Sequence, residues 1–164
     1  MKILIYLYGI GRGLEISEPS ISENLISSLK DQGYNITIFY VLNNIENINN
    51  PRSNENGKIR PIRKNIFHSA KRFNFPPTEL LDEEMFWLSK EYKDAHKDSY
   101  VSNRNLITQL GMLKKFSSVI KEEVFDRVIF CRDDLLVQSK IKDWNKIFKV
   151  AQNYPVVSSR QWHG

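Results

Sequence analysis

Lys2-Ile3-Leu4-Ile5-Tyr6-Leu7-Tyr8-Gly9-Ile10-Gly11-Arg12-Gly13 decides the fold class. Lys2 to Tyr8 is apolar at odd and even positions alike, so both faces of the strand it predicts are buried. That pattern belongs to a strand inside a sheet covered on both sides. The glycines that follow end the strand where a backbone can approach a ligand closely.

Beyond this stretch, Ser20-Ile21-Ser22-Glu23 reads as a capping box that opens a helix. Leu25, Ile26 and Leu29 form its buried stripe, and Gly33 ends it. Tyr34 to Leu42 predicts the second strand, so the opening is a βαβ unit. Farther on, Thr78 opens a helix with apolar positions Leu81, Met85, Leu88 and Tyr92. A second helix carries Leu106, Leu110, Leu113, Ile120 and Val124. Val128 to Cys131 predicts a third strand, short, fully apolar and buried. Asp143 caps a helix through Val150, and Pro155 to Ser158 predicts a fourth strand. Together these give a single domain over residues 1–164: a Rossmann-like α/β sheet, mostly parallel, with helices on both faces. The chain stops at Arg160-Gln161-Trp162-His163-Gly164, so the sheet is expected to be incomplete at its carboxyl end. An uncovered last strand near Trp162 would then favour self-association.

Composition narrows the function classes. The 164 residues are 41% hydrophobic and 26% charged, as in an ordinary globular domain. The apolar run Ile3–Tyr8 is too short to span a bilayer and lacks a cleavage site. The single cysteine, Cys131, suits a reducing compartment. The expectation is a cytoplasmic protein. Its net charge of +5 is concentrated in one segment. Between Arg52 and Arg72 stand Arg52, Lys58, Arg60, Arg63, Lys64, Lys71 and Arg72, with Glu55 as the acid. This basic stretch, with the asparagine-rich residues before it, reads as an insertion over 43–75, mobile or ordered only by a ligand. Positive charge confined to one loop argues against a nucleic-acid-binding face. It is compatible with peripheral contact to an anionic membrane surface.

In open parallel sheets, ligands bind beyond the carboxyl ends of the strands. That rule gathers Gly9, Gly11, Arg12 and Gly13 after strand one, Arg132, Asp133 and Asp134 after strand three, and Ser158, Ser159 and Arg160 after strand four. The glycines match neither a phosphate-binding Walker loop nor the dinucleotide fingerprint, since Leu14 stands where the third glycine would be. Asp133 and Asp134, as adjacent carboxylates, should raise each other's pKa unless a divalent cation relieves the repulsion. Mg²⁺ or Mn²⁺ shared with a diphosphate would do so. A turn with Arg132 as surface partner is the alternative. His68, His96 and His163 converge on nothing, and no catalytic residue is identified.

Asp126-Arg127-Val128-Ile129-Phe130-Cys131-Arg132-Asp133-Asp134-Leu135 resembles the D-x-V-I-x-x-R-x-D-L segment of bacterial glycosyltransferase-like proteins of capsule and lipopolysaccharide synthesis. The opening Lys2, Ile3, Ile5, Gly9 and Arg12, and the helix carrying Gln109, are similar to the same family. The resemblance covers roughly 1–42 and 103–160 and implies the GT-A nucleotide-sugar fold. It implies a nucleoside-diphosphate sugar as donor, a divalent metal, and a glycan or lipid-linked acceptor. Asp134 would be the metal- and diphosphate-binding acid, with Arg132 beside it and Gly9 and Arg12 near the nucleotide. Asp133 stands where the family often has proline. The acceptor half of such domains lies beyond Gly164, so a donor-binding fragment is also expected. A non-catalytic α/β domain that binds a nucleotide or a protein is the competing reading.

Overall fold

Strand β1 (Lys2–Gly9) is the hinge of the molecule, because its side chains divide cleanly between two cores. Ile3, Ile5 and Leu7 enter one core, and Leu4 and Tyr6 the other; all five are fully buried. The computed structural model describes residues 1–43, 47–50, 54–58, 67, 70–75, 94, 97, 99–100, 103, 110–111, 113, 116, 120 and 123–153. The expected helix from Thr78 and the fourth strand with Ser158, Ser159 and Arg160 lie outside these residues, as do the three histidines, Gln109 and Trp162.

After Gly13, α1 (Leu14–Ser20), a π-helical stretch (Ile21–Ser27) and α2 (Ser28–Asp31) follow one another directly. The helical region thus starts six residues before the expected capping box. Ser20 is helical in backbone and caps nothing; its hydroxyl donates to the Ser17 carbonyl and accepts from the Val137 N–H. Pro19 sits inside α1 and supplies no N–H, and the wider winding begins just beyond it. The expected stripe of Leu25, Ile26 and Leu29 is buried. Gly33, at φ 80°, ends the run in a Schellman arrangement: its N–H reaches the Lys30 carbonyl at 2.9 Å, and the Tyr34 N–H reaches Leu29 at 3.2 Å.

Strand β2 (Asn35–Asn43) pairs with β1 in parallel register, Ile5 opposite Ile38 and Gly9 opposite Leu42. The segment expected to be mobile or ordered only by a ligand carries a small antiparallel sheet, β3 (Asn47–Asn50) with β4 (Glu55–Lys58). Asn54 turns the hairpin at φ 53°, in the left-handed region that asparagine tolerates better than most residues. Farther along, β5 (Lys71–Phe75) joins β2 in parallel. That strand was hidden in the sequence because its composition, two basic residues and an asparagine among two phenylalanines, suits a sheet edge.

Strand β6 (Arg127–Arg132) pairs with the other side of β1, giving the order β5-β2-β1-β6, all parallel. Among the described residues β6 is an edge strand, and Phe130 is 54% exposed, so the strand expected to be buried is half-covered. Its entry is anchored by backbone: the Asp126 N–H donates to the Lys2 carbonyl at 2.9 Å, and the Asp126 carboxylate accepts from the Lys2 N–H at 2.6 Å. Then α3 (Trp144–Asn153) begins where expected, with Asp143 accepting from the Lys146 N–H at 3.0 Å. The Gln32 side-chain oxygen caps the same end by accepting the Trp144 N–H at 3.0 Å.

The two cores are the two faces of the sheet. On one, Leu14, Ile21, Leu25 and Leu29 meet Trp144 and Phe148 over β1 and β2. On the other, Phe116, with Leu113 and Ile120 beside it, packs on Tyr6 and Phe39. Helical residues therefore cover the sheet on both sides, the Rossmann-like α/β arrangement that the periodicity of β1 calls for. No described helix is long and apolar enough to cross a membrane.

Candidate functional site

The carboxyl ends of β1 and β6 lie side by side because Tyr8 is paired with Arg132 in the parallel ladder. Whatever follows each strand must emerge at the same edge of the sheet. After β1, Gly11 and Gly13 take φ values of 75° and 72°, which a side chain with a β-carbon rarely adopts. The chain therefore curls back before α1, and Arg12 projects from the curl.

After β6 the two aspartates part company. Asp133 is 1% exposed and turns inward across the end of β1. Its N–H donates to the Tyr8 carbonyl at 2.9 Å, and its own carbonyl accepts the Ser17 hydroxyl. Its Oδ2 accepts the Gly11 N–H at 2.8 Å and the Tyr40 hydroxyl at 3.0 Å. The carboxylate thus reaches from β6 past β1 to β2, and it can do so only because Gly9 carries no side chain. A β-carbon at Gly9 would overlap the Asp133 carboxyl group. The expected close approach at this glycine is made by the protein itself.

Asp134 stays at the surface side of the turn, with two guanidinium groups on it. Arg132 grips it in fork fashion, Nε to Oδ1 at 2.9 Å and Nη2 to Oδ2 at 2.6 Å. Arg12 Nη2 reaches the same Oδ2 at 3.3 Å, while its Nη1 pairs with Glu55 of β4. Arg12 and Asp134, expected on one edge, are in direct contact. Glu55 was missed, because nothing local in the sequence ties residue 55 to residue 12.

The titration behaviour follows the geometry and departs from the expectation of mutual repulsion. Burial pushes the Asp133 carboxyl up to about 6; the Gly11 N–H and Tyr40 hydroxyl pull the other way, and the Asp134 charge is a lesser contribution. Burial also acts to raise Asp134, but the hydrogen bonds and charges of Arg132 and Arg12 outweigh it and hold this carboxyl below its usual range. Asp134 in turn raises the Arg132 pKa. Burial, helped by Asp133 and Asp134, lifts the Cys131 thiol to about 11, so it is an unreactive thiol on the inner side of the site. Tyr8, half-buried beside Arg132, has its phenol raised, chiefly by burial.

Chemically, this edge offers a short glycine-rich curl, two arginines that are permanently charged, and a carboxylate between them. Among the described residues no group of three or more histidine, cysteine, aspartate or glutamate side chains is close enough to hold a metal ion. No protein-family model matches the chain, nor does any curated protein or solved structure.

Proposed function

We propose that the chain binds a nucleoside-diphosphate sugar at the carboxyl edge of β1 and β6 and serves a glycosyltransferase-like reaction on a glycan or lipid-linked acceptor. The observation that carries the proposal is the convergence of Arg12 and Arg132 on Asp134, beside a glycine curl, at the ligand-binding end of a parallel sheet. Guanidinium pairs suit the oxygens of a diphosphate, and a rigid sheet end holds them in place. The GT-A reading of the fold belongs with this proposal, resting on the R-x-D-L likeness of Arg132, Asp134 and Leu135.

A divalent cation fits here in one way. Mg²⁺ and Mn²⁺ accept one carboxylate, with the remaining positions filled by diphosphate oxygens and water. Asp134 suits that role, whereas the Asp133 oxygen that accepts Gly11 and Tyr40 is already committed. Bound there, the metal would stabilise charge on the departing diphosphate. Arg132 and Arg12 would turn from the carboxylate to phosphate oxygens, so the cluster stays close to neutral throughout. Asp133 would hold the curl and Tyr8 would flank the edge.

Titration calorimetry with UDP, GDP and CDP, with and without Mg²⁺ or Mn²⁺, tests this. Wild type should bind at least one of them more tightly with metal. Asp134→Asn should weaken that binding by about 10-fold or more, equivalent to about 1.4 kcal/mol. Binding of none of them by the folded chain would overturn the proposal. Metal-independent binding, unchanged in Asp134→Asn, would favour a non-catalytic nucleotide-binding domain.

A further inference from the structure

We propose that Glu55 competes with the donor's diphosphate for the Arg12 guanidinium, so that the β3–β4 hairpin regulates the site; this rests on the donor-site reading above. Glu55 opens β4, in a two-stranded sheet separate from the four-stranded one, and pairs with Arg12 across 43 residues of sequence. It is the one acid among the seven basic residues of 52–72, so its immediate neighbours in sequence offer ample cations. It also meets a guanidinium of the glycine curl.

The geometry of that guanidinium makes the pairing a competition. Arg12 presents Nη2 to Asp134 and Nη1 to Glu55. The Nη1 side is therefore taken by a carboxylate oxygen, chemically the nearest protein equivalent of a phosphate oxygen. Arg12 and Glu55 side chains are 34% and 36% exposed, respectively. An ion pair that open to water is weak, and a more highly charged diphosphate can displace it. Asp134, only 18% exposed and gripped by Arg132 as well, is the firmer of the two carboxylates. The hairpin carboxylate thus yields first, and anion binding at Arg12 is coupled to the hairpin's attachment. By reciprocity, whatever draws the hairpin away raises the affinity for the anion.

Glu55→Gln tests this with sodium pyrophosphate and UDP as probes. Its calorimetric affinity for pyrophosphate should be about threefold tighter than wild type, as expected for loss of a competing pair worth a fraction of a kcal/mol. Glu23→Gln removes the same charge from the helical region away from Arg12 and should leave affinity near wild type. In amide spectra, pyrophosphate should move the Asn54–Lys58 signals of wild type toward the positions they hold in Glu55→Gln without ligand. Affinity in Glu55→Gln that is weaker than wild type would overturn the inference and assign Glu55 to orienting Arg12. A gain of equal size in Glu23→Gln would also overturn it, as a general charge effect. If wild type and Glu55→Gln bind neither pyrophosphate nor any nucleoside diphosphate, the donor-site reading falls and this inference with it. Binding by wild type without the gain sinks the inference alone.

Discussion

The Asp133 carboxyl group occupies the space where a side chain on Gly9 would be. Residues 124 positions apart in the chain share one site of packing, and the glycine is dictated by its neighbour rather than by a strained backbone. Gly9→Ala must push the carboxylate aside, together with its bonds from Gly11 and Tyr40. The expected loss is about 2–3 kcal/mol, as for overpacking of a tight core. Urea denaturation should show a lower midpoint with an unchanged slope.

Asp133 also predicts a pH dependence. Its folded-state carboxyl is raised to about 6 from an ordinary value near 3.8, so the folded protein holds this proton more tightly than the unfolded chain. The unfolded chain binds fewer protons across that interval, and stability attributable to Asp133 therefore falls as pH rises from about 4 to 6. A shift of roughly two units corresponds to about 3 kcal/mol. Asp134, whose carboxyl is lowered, contributes in the opposite sense, and its contribution is lost only below the usual aspartate range. Asp133→Asn should flatten the decline between pH 4 and 6. Urea midpoints for both proteins at pH 4.5, 6 and 7.5 check this; parallel curves would contradict it.

Tyr40→Phe removes a hydroxyl that donates to the buried Asp133 Oδ2 at 3.0 Å. The carboxylate then keeps its burial with one donor fewer. Stability at pH 7.5 should drop by about 1–2 kcal/mol, the usual cost of weakening a buried hydrogen bond to a charged group. The loss should shrink at pH 4.5, where protonated Asp133 depends less on that donor. Thermal unfolding at the two pH values measures the difference.

Arg132→Lys replaces a two-point grip on Asp134 by a single ammonium. Charge is kept but the fork is lost. Pyrophosphate affinity should weaken by about 10-fold. The Asp134 carboxyl, now less well compensated, should titrate at a higher pH than in wild type. Carbon-detected NMR of the aspartate side chains would follow it.

Local chemistry alone determined the sheet's interior and its punctuation. The unbroken apolar run Ile3–Tyr8 specified a strand buried on both faces, Gly33 a helix end, and Asp143 the start of α3; each depends on residues within a few positions of one another. The same logic brought Arg12 and Asp134 to one edge, because parallel strands send their successors the same way. Local chemistry misled where a nearby pattern had a distant alternative. Ser20 looks like a cap, yet it bonds across to Val137, and the helical region opens at Leu14 after the left-handed Gly13. Which aspartate turns inward was not written in Asp133-Asp134, since two adjacent carboxylates are locally equivalent. Tertiary structure broke that equivalence: Tyr40 and the Gly11 N–H wait on the inner side, Arg12 and Arg132 on the outer. Glu55 meets Arg12 for the same reason, through a hairpin whose docking no local propensity encodes. A buried charge settles where donors from other strands converge, and strand order, rather than sequence neighbourhood, decides where that is.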